Sequence, residues 1–372
     1  MTVDVRPENI PKPFRGRRED EERVFASVVP TRYWHRHENG LIQCDLCPRF
    51  CRLREGQRGM CVVRACRKGQ IVLTSYGCSS GFCIDPIEKK PLNHFLPGTT
   101  VLSFGTIGCN LACKFCQNWR ISKSRELDTL TNHFSPETIA QSAVHLGCRS
   151  VAFTYNDPVI FHEYAIDVAR ACHAQGLRTV AVTAGYVCPA PREEFYRHVD
   201  AANVDLKSFS DRFYQTICGG HLQPVLDTLK YVKHHTNVWL EIATLLIPGL
   251  NDSRQEIDEL SYWIVRELGP EVPLHFTAFH PDWMMRDYPP TPPQTLVAAR
   301  RIAMDNGLWF VYTGNIPGVI GQNTSCHRCG HLLITRDGYA IQERHLTDNG
   351  ACERCGTLCP GVFSDGREGA LP

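Results

Sequence analysis

From residue 100 to about 315, short runs of apolar and β-branched residues alternate with longer stretches whose apolar positions recur every three or four places. The runs are VLSFGTI at 101–107, SVAFTY at 150–155, RTVAVTA at 178–184, NVDLK at 203–207, NVWLEIATLLI at 237–247 and PLHFTAFH at 273–280, with LWFVYT at 308–313 as a candidate seventh. Runs of this kind suit strands buried on both faces, and the helices between them make the connections parallel. Helix limits are also legible. SPETIAQSAVHLG opens on Ser135, with a proline in the first turn and then Glu137, and closes on Gly147; SRQEIDELSYWIVRELG runs likewise from Ser253 to Gly269. At least six βα units follow, an α/β fold of the partial (β/α)6, TIM-like barrel type. Ligands are then expected in the loops after the strands' C-terminal ends.

The pattern changes on either side of this segment. Residues 1–40 are charged and proline-bearing without periodicity and read as an N-terminal extension. Residues 41–98 form a cysteine- and glycine-rich module, too small to bury a core without a staple. The barrel occupies 99–320, a ribbon-like module 321–363 and a short tail 364–372. In the ribbon, CHRCG and CERCG flank the strand-like GYAIQERHLTDNG.

Composition narrows the chemistry. The 372 residues are 43% hydrophobic and 21% charged with a formal net charge of +1, so no charge excess points to nucleic acid or an anionic membrane. The opening MTVDVRPENIPKPFRGRRED has no apolar run, and no later stretch reaches the roughly 20 apolar residues of a spanning helix, so a cytoplasmic protein is expected. Thiols stay reduced in that compartment, and 19 cysteines then imply metal sites rather than disulfides. The cysteines cluster accordingly: five between 44 and 66, three between 109 and 116, five between 326 and 359. Cys148, Cys172, Cys188 and Cys218 stand singly and read as small buried hydrophobes.

Each cluster has its own spacing. Cys109, Cys113 and Cys116, in GCNLACKFCQNW, put C-x-x-x-C-x-x-C in the first βα loop. Three thiolates can hold three irons of a [4Fe-4S] cluster and leave the fourth open to a further ligand, with Phe115 shielding one side. Cys44, Cys47, Cys51 and Cys61 supply four ligands within eighteen residues, a closed site for zinc or for a second Fe–S cluster, in which Cys66 could replace one ligand. Cys326, Cys329, Cys352 and Cys355 form two C-x-x-C knuckles 22 residues apart, each followed by glycine, which is zinc-ribbon spacing. Arg328, Arg336 and Arg344 are balanced there by Asp337, Glu343 and Glu353, which argues against nucleic acid. Cys359 is an extra thiol, reactive or simply buried. For the substrate side the polar candidates are Asp85, Glu88, Lys89, Lys90, His94, His162, Glu163, Glu241, His280 and Asp282. His280, at a strand end before Pro281, is the candidate proton or hydrogen donor.

The cysteine spacing, the aromatic before the third cysteine and the barrel context together resemble the radical S-adenosylmethionine (SAM) superfamily. The resemblance implies that Tyr155, Asn156 and Asp157 occupy the turn that meets the SAM amino group, although the family's glycine pair is absent. Asp205 and Lys207, in VDLKSF, resemble the D-x-K element of pyruvate formate-lyase activating enzymes, which places the lysine near the SAM carboxylate. TAGY at 183–186, with Thr183 and Gly185, is similar to their TNGY, but Ala184 replaces the asparagine and Val182 an aspartate. LLIPGLND at 245–252 and TGNIPG at 313–318 resemble two further loops, the second bringing Asn315 and Ile316 toward the adenine. The order CDLCPRFC, EGQRGMC, DPIEKKPLNHF, TIGCNLACKFCQNW, FTYNDPVIF, LHFTAFHPDWMM and YTGNIPG resembles the AmmeMemoRadiSam-system radical SAM family. That implies reductive cleavage of SAM to a 5'-deoxyadenosyl radical, hydrogen abstraction from a substrate expected to be a small molecule, and an electron donor such as flavodoxin or ferredoxin. Two other readings stay open: an activating enzyme that installs a glycyl radical on a partner protein, and a metal-binding interaction protein with zinc in all three clusters.

Overall fold

The computed structural model describes residues 3–4, 28–124, 132–316 and 321–364, so part of the N-terminal extension and all but residue 364 of the tail lie outside the described residues. The chain divides into two compact units. One joins Met1–Asp85, Thr100–Ala112 and Cys116–Asp200; the other joins Pro86–Thr99, Cys113–Phe115 and Ala201–Pro372.

The first unit carries three of the expected strands, β1 (Thr100–Gly105), β2 (Ser150–Phe153) and β3 (Arg178–Thr183). They pair in parallel, with Ser150 opposite Val101 on one side and Arg178 on the other, so their C-terminal ends share one edge. All four residues of β2 are buried, as a strand covered on both faces requires. Helices α1 (Pro136–His145), α2 (His162–Ala174) and α3 (Pro189–Tyr196) make the connections. The Ser135 hydroxyl accepts from Thr138 N at 3.2 Å, the cap that the sequence announces.

The cysteine-rich module folds against this half. Two three-stranded antiparallel sheets, Val29–Pro30 with Gln70–Leu73 and Arg64–Arg67, and Trp34–Arg36 with Ile42–Cys44 and Arg52–Leu53, give it little core of its own. Its apolar cluster of Ile42, Leu46, Leu53 and Ile71 is completed by Val159 and Val187, which the barrel contributes.

The second unit holds β4 (Ala201–Asp205), β5 (Trp239–Leu246), β6 (Leu274–Ala278) and β7 (Val311–Gly314), parallel in that order. The candidate seventh run is therefore a strand, and the α/β class with a parallel sheet is the one observed. Helices α4 (Gln223–His235), α5 (Arg254–Leu268) and α6 (Pro293–Asp305) connect them. Ser253 caps α5 through Glu256 N at 3.2 Å, and Gly269 ends it at φ +100. The ribbon is a three-stranded antiparallel sheet of Thr324–Ser325, Leu332–Asp337 and Ala340–Arg344. Among the described residues no helix is long and apolar enough to cross a membrane.

Candidate functional site

The loop after β1 carries Cys109, Cys113 and Cys116, and its entry is held by main-chain contacts. Asn156, at the end of β2, donates its amide to Gly108 O at 2.9 Å and Ile107 O at 3.4 Å and accepts from Thr106 N at 3.2 Å. Gly108 has φ +79, and a Cβ there would stand 2.0 Å from the Cys61 carbonyl oxygen. Both the dihedral and the close approach call for glycine. Further on, the Cys116 thiol lies 3.0 Å from the Ser122 hydroxyl, and Asn110 donates to Tyr186 O at 2.8 Å, tying the loop to the segment after β3.

Cys113 and Phe115 are buried and cluster with the second unit. There Lys207, two residues beyond Asp205 at the end of β4, reaches the Asp205 carboxylate at 2.8 Å and lies 5.8 Å from the centre of the Phe115 ring. Burial works to lower the Lys207 pKa, but Asp205 and then the thiols of Cys113 and Cys218 outweigh it, so the ammonium is held well above its usual range. The result is a half-buried cation beside Cys113. Asn251, from the LLIPGLND segment, fixes the lysine backbone by donating to Lys207 O at 2.8 Å; the Tyr214 hydroxyl accepts from Lys207 N at 3.0 Å. Glu256 accepts from the Ser208 hydroxyl and from Phe209 N, anchoring the following turn.

The remaining expected SAM contacts sit at strand ends. Asp157 is 3% exposed and spends its carboxylate on Val159 N, the Thr183 hydroxyl and Ala184 N, at 2.9 to 3.1 Å. It joins the ends of β2 and β3. Thr183 accepts in turn from Gly185 N at 3.0 Å, and Gly185 has φ +64. Tyr155 sits at φ +70, and burial raises its phenol. Asn315, at φ +62 just beyond β7, is exposed and donates to Ala278 O at 3.4 Å; Ile316 is half-buried. His280 is exposed beyond β6.

Residues 104–260 match the model of the radical SAM superfamily. An uncharacterized protein of Methanocaldococcus jannaschii is 38% identical over 325 residues, 87% of this chain and 96% of its own length. The chain belongs to the radical SAM superfamily. The pyruvate formate-lyase-activating enzyme of Clostridium pasteurianum is 29% identical over 158 residues, covering 41% of this chain and 65% of that one. Among solved structures, a radical SAM methyltransferase from Sphaerobacter thermophilus covers 82% of this chain and 83% of its own at 14% identity, with a TM-score of 0.49. This radical SAM enzyme is thus of the activating-enzyme-like type, and its superfamily implies a [4Fe-4S] cluster and SAM. The donor set fits that pair: three thiols on one loop, and a half-buried ammonium suited to a carboxylate next to one of them.

Sequence reasoning missed four residues at this radical SAM site: Tyr214, Cys218, Asn251 and Glu256. Cys218 is fully buried with its thiol hydrogen-bonded to Cys113; burial, then that contact, push its pKa well up. It ends a single π-helical turn, Tyr214–Cys218. Such turns recur at functional sites, but spacing alone gives no hint of this one.

Several substrate-side candidates serve the scaffold instead. Glu241 is fully buried and accepts from Asn93 N, His94 N, Trp239 Nε1 and His275 Nε2 at 2.6 to 3.0 Å. Glu88 accepts from Gly98 N at 2.8 Å with Arg336 at 3.8 Å, and His94 lies between Pro360 O and the Tyr312 hydroxyl. Glu163 pairs with Arg64, and His162 is buried 3.0 Å from Glu194. Cys359 is buried beside His94, and burial raises its thiol to about 12, so it is not a reactive cysteine.

The two flanking quartets differ in spread. In the ribbon the Cys326–Cys355 and Cys329–Cys352 sulfurs are 3.6 and 3.7 Å apart and all four lie within 4.8 Å of one another. Among the described residues no other group of three or more histidine, cysteine or acidic side chains gathers so closely. Cys44, Cys47, Cys51 and Cys61 instead line a cavity of about 20 Å³, and Cys66 does not border it.

Proposed function

We propose that this enzyme holds a [4Fe-4S] cluster on Cys109, Cys113 and Cys116, binds SAM beside it, and abstracts hydrogen from a small-molecule substrate. The observation that carries the reading is the half-buried, charged Lys207 set against Cys113 and Phe115. When bound, the cluster supplies one electron that splits SAM into methionine and a 5'-deoxyadenosyl radical. The chain's own residues do the positioning. Lys207 supplies the cation for the SAM carboxylate, and desolvation strengthens that pair. Asn156 and Gly108 hold the cysteine loop, Asp157 holds the Thr183–Gly185 turn, and Phe115 keeps water off the buried thiol. Asn315 and Ile316 are assigned to the adenine, the ribbon quartet to one structural zinc, and His280 to hydrogen donation on the substrate side.

Anaerobically reconstituted protein given SAM and dithionite should release 5'-deoxyadenosine, and Cys113→Ala should abolish the release; turnover surviving that substitution would overturn the assignment. Lys207→Met should leave the cluster spectrum intact while weakening SAM binding roughly tenfold or more, as loss of a charge-assisted hydrogen bond of about 1.5–3 kcal/mol requires.

A second reading, a partner-protein substrate, is favoured by the match to an activating enzyme, although that match leaves more than half of this chain unpaired. Deuterium passing into 5'-deoxyadenosine from a labelled partner peptide, and from no metabolite, would select it.

A further inference from the structure

We infer that Cys44, Cys47, Cys51 and Cys61 hold a second [4Fe-4S] cluster rather than zinc. The argument rests on size. Four thiolates on one zinc, at a bond of about 2.3 Å, stand about 3.8 Å apart, whereas a cubane spreads its four thiolates to roughly 6 Å. The ribbon shows the first arrangement in the same molecule, with sulfurs 3.6 and 3.7 Å apart. The N-terminal quartet is absent from the groups that gather within 4.8 Å, although all four residues are described. Its cysteines surround a cavity of about 20 Å³. That exceeds the roughly 10–15 Å³ needed for one water. The four cysteines therefore stand round a space instead of converging on one point.

The wall of the cavity suits an anionic cluster. Leu46, Met60 and Ile160 line it with apolar surface, and two guanidinium groups complete it. Arg49 donates through Nε to Asn110 O at 2.7 Å, and its Nη2 is buried with no hydrogen-bond partner among the described residues. A buried N–H of this kind is costly unless an acceptor meets it, and the sulfides and thiolates of a cluster are acceptors. Arg64, 1% exposed, donates to Ile160 O at 3.0 Å and to both Glu163 oxygens, a paired charge that fixes this part of the wall. The site is also close to the radical SAM loop. The Cys61 carbonyl packs on Gly108 and Arg49 reaches Asn110, the two residues that flank Cys109.

The test is a metal and sulfide count on the full-length protein, purified and reconstituted without oxygen. About eight irons, eight sulfides and one zinc per chain are expected. Four irons with two zincs, or four irons with a single zinc, would overturn the proposal. A triple variant, Cys109→Ala with Cys113→Ala and Cys116→Ala, should keep about four irons and its ribbon zinc. Adding Cys47→Ala and Cys51→Ala should then remove that iron and leave the zinc, with the helix content of the triple variant, read by far-ultraviolet circular dichroism, retained as the check that the chain is still folded. Loss of all iron from the triple variant with its zinc retained would count against the quartet. The proposal does not depend on the function assigned above. If SAM changed the spectrum of neither cluster while the triple variant kept its four irons, the SAM reading would fail and the second cluster would stand.

Discussion

The two cysteine quartets solve the same problem, gathering four thiolates, by opposite means. In the ribbon the solution is local. Each knuckle closes with the same pair of main-chain bonds, Gly330 N to Cys326 O and Cys326 N to His331 O in one, Gly356 N to Cys352 O and Cys352 N to Thr357 O in the other. The glycines sit at φ +71 and +72 with open space around them, so they serve dihedral angle alone. In the N-terminal module the solution is borrowed. Its cysteines share a hydrophobic cluster with Val159 and Val187, its Arg64 pairs with Glu163, and its Cys61 carbonyl rests on Gly108. The ribbon's knuckles are closed by bonds within a few residues, although its cluster also takes in Phe310 and Tyr312, whereas the N-terminal quartet takes part of its cluster and of its cavity wall from residues 110 to 187.

The largest expected effect therefore falls on the borrowed site. Arg64→Met leaves Glu163, whose side chain is only 11% exposed, without its partner, which costs about 3 kcal/mol. Chemical denaturation should show that loss, together with iron depleted from the quartet and ribbon zinc unchanged. Adding Glu163→Leu should restore much of the stability, because a buried pair replaced whole by apolar groups is often near neutral. A single mutant as stable as wild type would mean that the module does not lean on the barrel.

Next comes Gly108→Ala. The new methyl would meet the Cys61 carbonyl at 2.0 Å, and the backbone is already at φ +79. Strain and displacement together should cost about 3 kcal/mol. The informative readout is iron, since the residue lies between Cys61 and Cys109 and its shift should reduce occupancy on both sides. Gly356→Ala in the ribbon meets nothing within 4 Å. It carries only the dihedral penalty, on the order of 1 kcal/mol, with zinc retained.

This contrast also marks what the sequence could disclose. Strand runs and helix limits are written in local chemistry, namely burial on both faces and caps such as Ser135 and Ser253, and the structure has them where the pattern places them. The ribbon and the three-cysteine loop are legible for the same reason, since their ligands lie close in the chain. Spacing gives the number of ligands in the N-terminal quartet but not their separation, because Asn110 and Ile160 set part of the wall from elsewhere in the unit. The polar residues near the barrel are the hardest case. Glu241 has the look of a site carboxylate until Asn93 and His94, 148 and 147 residues earlier, are seen to occupy it. Asn156 has the look of a cofactor contact, yet its amide is spent on carbonyls 48 and 49 residues before it.

Acid should separate the two attachments at smaller cost than mutation. The ribbon's holds a neutral histidine: His94 Nδ1 donates to Pro360 O at 2.7 Å and Nε2 accepts from the Tyr312 hydroxyl at 2.6 Å. Burial, only partly opposed by Glu241 and reinforced by Arg336 and His275, lowers its pKa from 6.5 to about 4. The unfolded chain then binds the extra proton first, so His94 contributes fully above pH 6.5 and loses its contribution as the pH falls through about 4. At pH 5 the loss is about 2 kcal/mol. The module's attachment is a charged pair instead. Burial raises the Glu163 pKa, but Arg64 outweighs it and holds the carboxyl below its usual 4.5, so that contribution is kept until the pH drops past 4.5. Hydrogen exchange from pH 7 to 5 should therefore show the Pro360–Phe363 segment losing protection while Arg64–Arg67 keeps it, and His94→Gln should flatten the ribbon's pH response. Equal loss at both places would show that the two attachments do not differ in the way their side chains indicate.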